Sequence, residues 1–352
     1  MADDYFRRVH ALTPTRYWIN NPTRSQAKMA LDCGAVGCTL NPSYMSKVTE
    51  EPDEKDFVYE KIRELIKTEK DDTAVAEKLQ TFLVTNIAKM FMPVYEATGA
   101  YQGRVSIQGD PFNEKADHII EYGRHNAAQS PNIIPKIPVV PEGLKAIGVL
   151  LKEGISINST EIFAMQQFID VAEVYKSAAT GMKNPPTLFY SHIIGIFDEY
   201  IQNYVRDNKV DILPDVIWQA GTAVAKKMEQ IRVERGYKVR MISGGARGLQ
   251  HFTEMVGAET NITINWGGAS DKLLEQNPPV IARFLQPTSC SIIDELAEKL
   301  PDFKKAYKIG ELEPHEYEEY GPVQLFFTSF RNGWKHVLGE IAKCRRECNG
   351  KH

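Results

Sequence analysis

Eight short runs of β-branched and apolar residues recur along the chain, separated by amphipathic stretches, and this rhythm limits the folds open to it. The runs cover 16–20, 36–40, 104–108, 133–139, 155–159, 187–192, 239–243 and 261–265, and helical periodicity marks 25–33, 141–152, 161–179, 214–235 and 246–256. Strands that alternate with helices pair in parallel through crossovers, and eight such units close into a (β/α)8, or TIM, barrel of the α/β class. Residues 50–99 are expected as a helical elaboration between the second and third strands, and 287–352 as a helical extension packed on the barrel. Within that extension 310–321 reads as an acidic loop and 322–343 as an amphipathic helix. Its Phe326, Phe327, Phe330 and Trp334 fall at helical spacing, which favours packing over cofactor binding. With no internal repeat or linker, 1–352 reads as one barrel domain.

Composition narrows the function. The 352 residues carry a net charge of -4 with 43% hydrophobic and 25% charged residues, ordinary values for a soluble enzyme. No basic stripe suggests nucleic acid, and no run approaches the ~18 apolar residues of a membrane helix. The start lacks the apolar core of a signal peptide, so a cytoplasmic protein is expected. Cys33, Cys38, Cys290, Cys344 and Cys348 are odd in number and lack C-x-x-C spacing, which fits reduced thiols rather than disulfides or a zinc site. Neither metal nor cofactor is expected.

Lys136 stands out, in Asn132-Ile-Ile-Pro-Lys-Ile-Pro-Val-Val140. Burial among apolar residues disfavours an ammonium and frees the amine to attack a carbonyl, giving a Schiff base. The competing reading is a strand-end lysine that snorkels to water. Barrel chemistry sits at the C-terminal strand ends, and those ends are polar almost throughout: Asn20 or Asn21, Asn41, Gln108, Lys136, Asn158 with Thr160, Ser191 with His192, Arg247 and Asn265. A polar ring around one lysine favours the Schiff base.

Six segments then carry a family resemblance. Thr39-Leu-Asn-Pro-Ser43, Val105-Ser-Ile-Gln108 before Asp110, Lys136-Ile-Pro followed by Glu142-Gly143, and Gly154-Ile-Ser-Ile-Asn-Ser-Thr160 resemble transaldolase signatures, in the family's order. Pro93-Val-Tyr-Glu-Ala-Thr-Gly99 and the Gly-Ala-Arg-Gly run ending at Gly248 are similar too. The resemblance implies a metal-free class I enzyme whose lysine forms a Schiff base with a ketose, cleaves it, and passes a dihydroxyacetone unit to an aldehyde. Fructose-6-phosphate aldolases belong to the same group. On it Lys136 is the nucleophile, Asn41 holds the three-carbon unit, and Thr160 positions the water that shuttles protons; Asn158 and Ser191 contact substrate. Arg247 matches a phosphate-binding arginine and follows Ser243-Gly-Gly-Ala246, read as an anion cradle at a helix N-terminus. Turn chemistry alone offers other roles: an Asn-Pro turn for Asn41, a helix N-cap for Thr160, a first-turn ion pair for Arg247.

Three positions depart from the family pattern. The first strand ends in Asn20-Asn21 where the family carries its acid/base aspartate. Gln108 replaces a glutamate, as in the aldolase branch, and Ile196 replaces a second phosphate-binding arginine. An amide exchanges no proton usefully, and general acid/base work contributes ~10²–10⁴-fold, so ordinary aldol cleavage is expected to be slow. His192 is a candidate substitute as anion donor or proton relay; Tyr17, Tyr190 and Asp110 are candidate bases. The readings that remain are a Schiff-base aldolase or transferase with altered specificity, an ordinary transaldolase, or a silent barrel that binds a sugar or sugar phosphate. The expected partners are a ketose and an aldehyde, with or without phosphate, and the aromatic C-terminal helix either covers the barrel or faces another subunit.

Overall fold

The structure is a computed structural model describing residues 4–349. Eight parallel strands close into a barrel in sequence order: β1 (Arg16–Asn20), β2 (Gly37–Leu40), β3 (Arg104–Gln108), β4 (Ile133–Pro138), β5 (Ile157–Ile162), β6 (Leu188–His192), β7 (Arg240–Ser243) and β8 (Thr260–Ile264). Nearly every strand residue is buried on both faces, as a barrel wrapped in helices requires. The elaboration forms helices Lys55–Leu65 and Asp72–Ala97, the second capped by the Asp71 side chain.

Register places the side chains. Trp18 on β1 meets Phe189 on β6 with ring centroids 5.3 Å apart, although β1 and β6 are not neighbours, so both point into the barrel. With Ile134 and Ile242 they form an apolar cluster separate from the main core between sheet and helices. Gly37 makes room for it, since any Cβ there would run into the Trp18 indole. Two residues further along the same strands the inward column turns polar: Asn20 above Trp18, Lys136 above Ile134, Ser191 above Phe189. Gln108, Lys136 and Asn158 lie side by side in register. The site therefore stands on a dry floor of buried rings.

Two helices are shorter than their periodicity suggests. The expected helix at 161–179 begins at Met165, because β5 runs on to Ile162 through an irregular pairing with β6. The expected helix at 246–256 shrinks to one turn, Gln250–Thr253, so Arg247 lies in a loop rather than on a helix, and no helix dipole acts there. The final helix, Gly321–Asn349, presses against Ser43–Glu50, where a Cβ on Gly333 would stand 2.9 Å from Ser43 Cα. It carries Phe326 and Phe330 across the open end of the barrel. Among the described residues no helix is long and apolar enough to cross a membrane, and no group of three or more His, Cys, Asp or Glu side chains could hold a metal ion.

Candidate active site

A cavity of about 470 Å³ opens at the C-terminal ends of the strands, and Asn20, Asn41, Lys136, Ser191, Arg247 and Ile196 all line it. Lys136 is 6% exposed. Its Nζ lies 5.9 Å from the Phe326 ring centroid and 5.8 Å from that of Phe330, so the C-terminal helix closes an aromatic cover over the amine. The aromatic face packs on the barrel, and it also forms the wall of the cavity. Burial pulls the amine down from its usual value to about 8, against the negative charge of Glu161.

Glu161 is the residue that periodicity hid. Ser159-Thr160-Glu161 reads as a helix start, but here it forms the last part of β5, with Glu161 at φ 60° beside a register shift. A non-glycine residue in that region costs about 1–3 kcal/mol and persists only when its surroundings hold it. Gln167 does so: its amide donates to the carbonyls of Glu161 and Val139, both at 3.0 Å, while its oxygen accepts from the Phe163 and Ala164 amides at 2.9 and 3.2 Å. The Glu161 carboxylate is buried and accepts from Gln108 Nε2 at 2.9 Å. Burial lifts it to about 7, against the Gln108 hydrogen bond and the charge of Lys136. Lys136 and Glu161 thus feel each other without forming a direct ion pair.

Two buried polar atoms beside this pair have no partner, Gln108 Oε1 and Thr160 Oγ1. Unpaired buried oxygens are costly, so both are available to a water or a hydroxyl. Asn158 is fixed next to Lys136, accepting from Ser191 Oγ at 2.7 Å and donating to Ser106 Oγ at 3.3 Å. Asn20 spends its amide on neighbours, with Nδ2 on Asn265 Oδ1 at 2.9 Å and Oδ1 accepting from Thr39 Oγ1 at 2.8 Å. Asn41 Oδ1 accepts from Asn21 Nδ2 and the Ser43 amide, so the Asn-Pro turn is formed while the residue still lines the cavity.

Other candidates are not brought in. His192 is the outward neighbour of Ser191, fully buried, with ring nitrogens 3.0 Å from the Ile162 carbonyl and 3.1 Å from that of Gly221. It clamps β5 and a helix rather than facing a substrate. Tyr17 and Tyr190 alternate outward in the same way; Tyr17 is bonded to Ser270 at 2.8 Å, and Tyr190 is buried against Phe168. Asp110 lies in the loop after β3, where its carboxylate accepts from the Phe112 amide. Arg247 reaches the cavity but pairs with Glu199 at 2.6 Å. Sequence reasoning also missed Lys47 on the cavity wall. Its amine is held by the Asn21 carbonyl at 2.8 Å and Gln26 Oε1 at 2.9 Å, both neutral. Its position on the inward face of a helix that follows the Asn-Pro turn was the available signal.

The family model for Transaldolase/Fructose-6-phosphate aldolase matches residues 17–277, well over half the chain and all eight strands. The chain belongs to this family. Among curated relatives, proteins named Transaldolase from Mycobacterium ulcerans and Mycobacterium tuberculosis are 34% identical over 151 residues, 42% of this chain and 39% of theirs. One from Saccharopolyspora erythraea is 30% identical over 167 residues, 45% of this chain and 44% of its own length. The matched stretch thus spans less than half of these relatives. In this chain Asn20 and Gln108 are amides, and the buried carboxylate nearest to them in the sheet is Glu161 on β5, bonded to Gln108 across β4.

Proposed function

We propose that the protein is a class I aldolase or transferase in which Lys136 condenses with the ketone of a ketose and transfers or releases a dihydroxyacetone unit. The observation that carries this reading is the Lys136 amine itself. It is buried, lies under Phe326 and Phe330 on the wall of a sugar-sized cavity, and stands beside two unpaired oxygens that fit the water of imine formation. Once the imine forms, electrons from the C3–C4 bond flow toward it, the C4 hydroxyl loses its proton, an aldehyde leaves, and an enamine remains for an acceptor. By the family resemblance Asn20 takes the place of the residue that would receive that proton, and it is an amide. Cleavage of ordinary ketose phosphates is therefore expected to be slow, and specificity altered, with Arg247 and Lys47 the cations available to a phosphate. The five cysteines are free, which fits a reducing, cytoplasmic setting.

Borohydride added with dihydroxyacetone or fructose 6-phosphate should leave a reduced adduct on the peptide containing Lys136, and Lys136→Met should abolish it. The hydrogen bonds that tie Asn20 to Asn265 and Thr39 favour one other reading, a silent barrel that binds sugar without turnover. Absence of any adduct under both ketones would select that reading.

A further inference from the structure

A second cavity, of about 280 Å³, lies on the flank of the barrel beneath the C-terminal helix, and Glu161 forms part of its wall. Lys136 does not line that space, and Glu161 does not line the sugar cavity. The two members of the pair thus face different compartments, the amine toward the sugar and the carboxylate toward the flank. A strained backbone, locked by Gln167, holds the carboxylate in that position. Lys136 on β4 and Glu114 in the loop after β3 act on its charge, Glu318 and Arg331 from the C-terminal segment share the cavity wall with it, and Asp110 acts in turn on Glu114. Lys115, Glu142 and Glu319 complete the polar wall.

We propose that Glu161 is the proton carrier for Lys136, exchanging protons with solvent through the flank cavity while the sugar fills the mouth. This rests on the Schiff-base reading above. A proton passes through an intervening water from the Lys136 ammonium to the carboxylate. The free amine adds to the ketone carbon as the C=O π bond breaks, and Glu161 returns the proton to the new alkoxide. Glu161 then takes a proton from the nitrogen and delivers it to the hydroxyl, which leaves as water as C=N forms. Ammonium and ketone have become iminium and water, and the carboxylate is regenerated. The pair must hold exactly one transferable proton, so the rate falls on both sides of neutrality, as for any acid/base couple.

The test is reductive trapping of dihydroxyacetone with cyanoborohydride across pH on the full chain, read by mass. The wild type should give a bell-shaped profile. Glu161→Gln should lower the peak rate by about 10²-fold and erase the alkaline fall, because no shared proton remains to be lost, while Glu161→Asp keeps the bell at an intermediate rate. Filling the flank cavity with Gln324→Trp should slow trapping. An alkaline limb or an unchanged peak in Glu161→Gln would overturn the proposal, as would an unaffected rate in Gln324→Trp. Equal losses in the Gln and Asp variants would reduce Glu161 to a structural part. A wild type that forms no adduct at any pH would instead defeat the Schiff-base reading and this inference with it.

Discussion

Asn20 can hold a hydroxyl and cannot take its proton. Asn20→Asp is therefore expected to raise cleavage of a ketose by up to about 10²-fold, measured as aldehyde release, with the amount of trapped adduct nearly unchanged. Ile196→Arg addresses a different step. It supplies a second guanidinium beside the Gly245 loop and should tighten binding of fructose 6-phosphate relative to dihydroxyacetone, by about 10-fold or more in KM, since a charge-assisted hydrogen bond contributes about 1.5–3 kcal/mol. Equal effects on both ketones would count against a phosphate site at that corner. Part of this residue-level picture was legible in the sequence, since Gln108 closes β3 and Lys136 lies two residues from the end of β4, strands whose limits the sequence marks well, whereas Asn158 stands near the start of β5, which runs on past its expected end. His192 was misplaced for a simple reason: successive strand residues point to opposite faces, so Ser191 facing in requires His192 facing out. Glu161 escaped because Ser-Thr-Glu is also the grammar of a helix start, and a register shift leaves no compositional trace.

Among the elements, β5 and the C-terminal helix decide how the amine behaves. Gln167 is the only side chain bonded at once to the Glu161 carbonyl, the Val139 carbonyl and the two amides that follow β5, among the described residues. Gln167→Leu leaves those groups unpaired in a buried place. It should lower stability by about 1–3 kcal/mol in urea unfolding and reduce trapping, because Glu161 loses its fixed position. Phe326→Ala admits water above Lys136. Burial is what holds that amine low, so hydration must raise it, and the alkaline fall of the trapping profile should move to higher pH. A profile that stays in place would show that the aromatic cover is not what dries the nitrogen. Such a cover could not be foreseen, because helical spacing of aromatics reports that a face is buried and not what it is buried against. The glycine-rich run before Arg247 misled in the opposite sense: it suggested a helix start, yet Gly245 takes a left-handed φ of 69° against Ile193 and Ile196 at the start of the helix Ile194–Asn208, and no helix begins before Gln250.

At the scale of the molecule, the closed barrel follows from the count and spacing of strands, and there sequence and structure agree in order, direction and nearly all boundaries. The floor beneath the site is less visible, because it depends on which strand residues meet across the axis. Gly37→Ala tests it: the methyl displaces Trp18, and overpacking of this kind costs about 1–3 kcal/mol, read as a lower urea midpoint. The same arrangement provides a built-in optical gauge. Trp18 is wholly enclosed, whereas Trp218 is 54% exposed, so iodide should darken the emission of the second and leave the first untouched. With Trp218, Trp266 and Trp334 replaced by Phe, the remaining fluorescence is that of Trp18 alone and would report capture of a ketone from directly beneath the well, with no label attached.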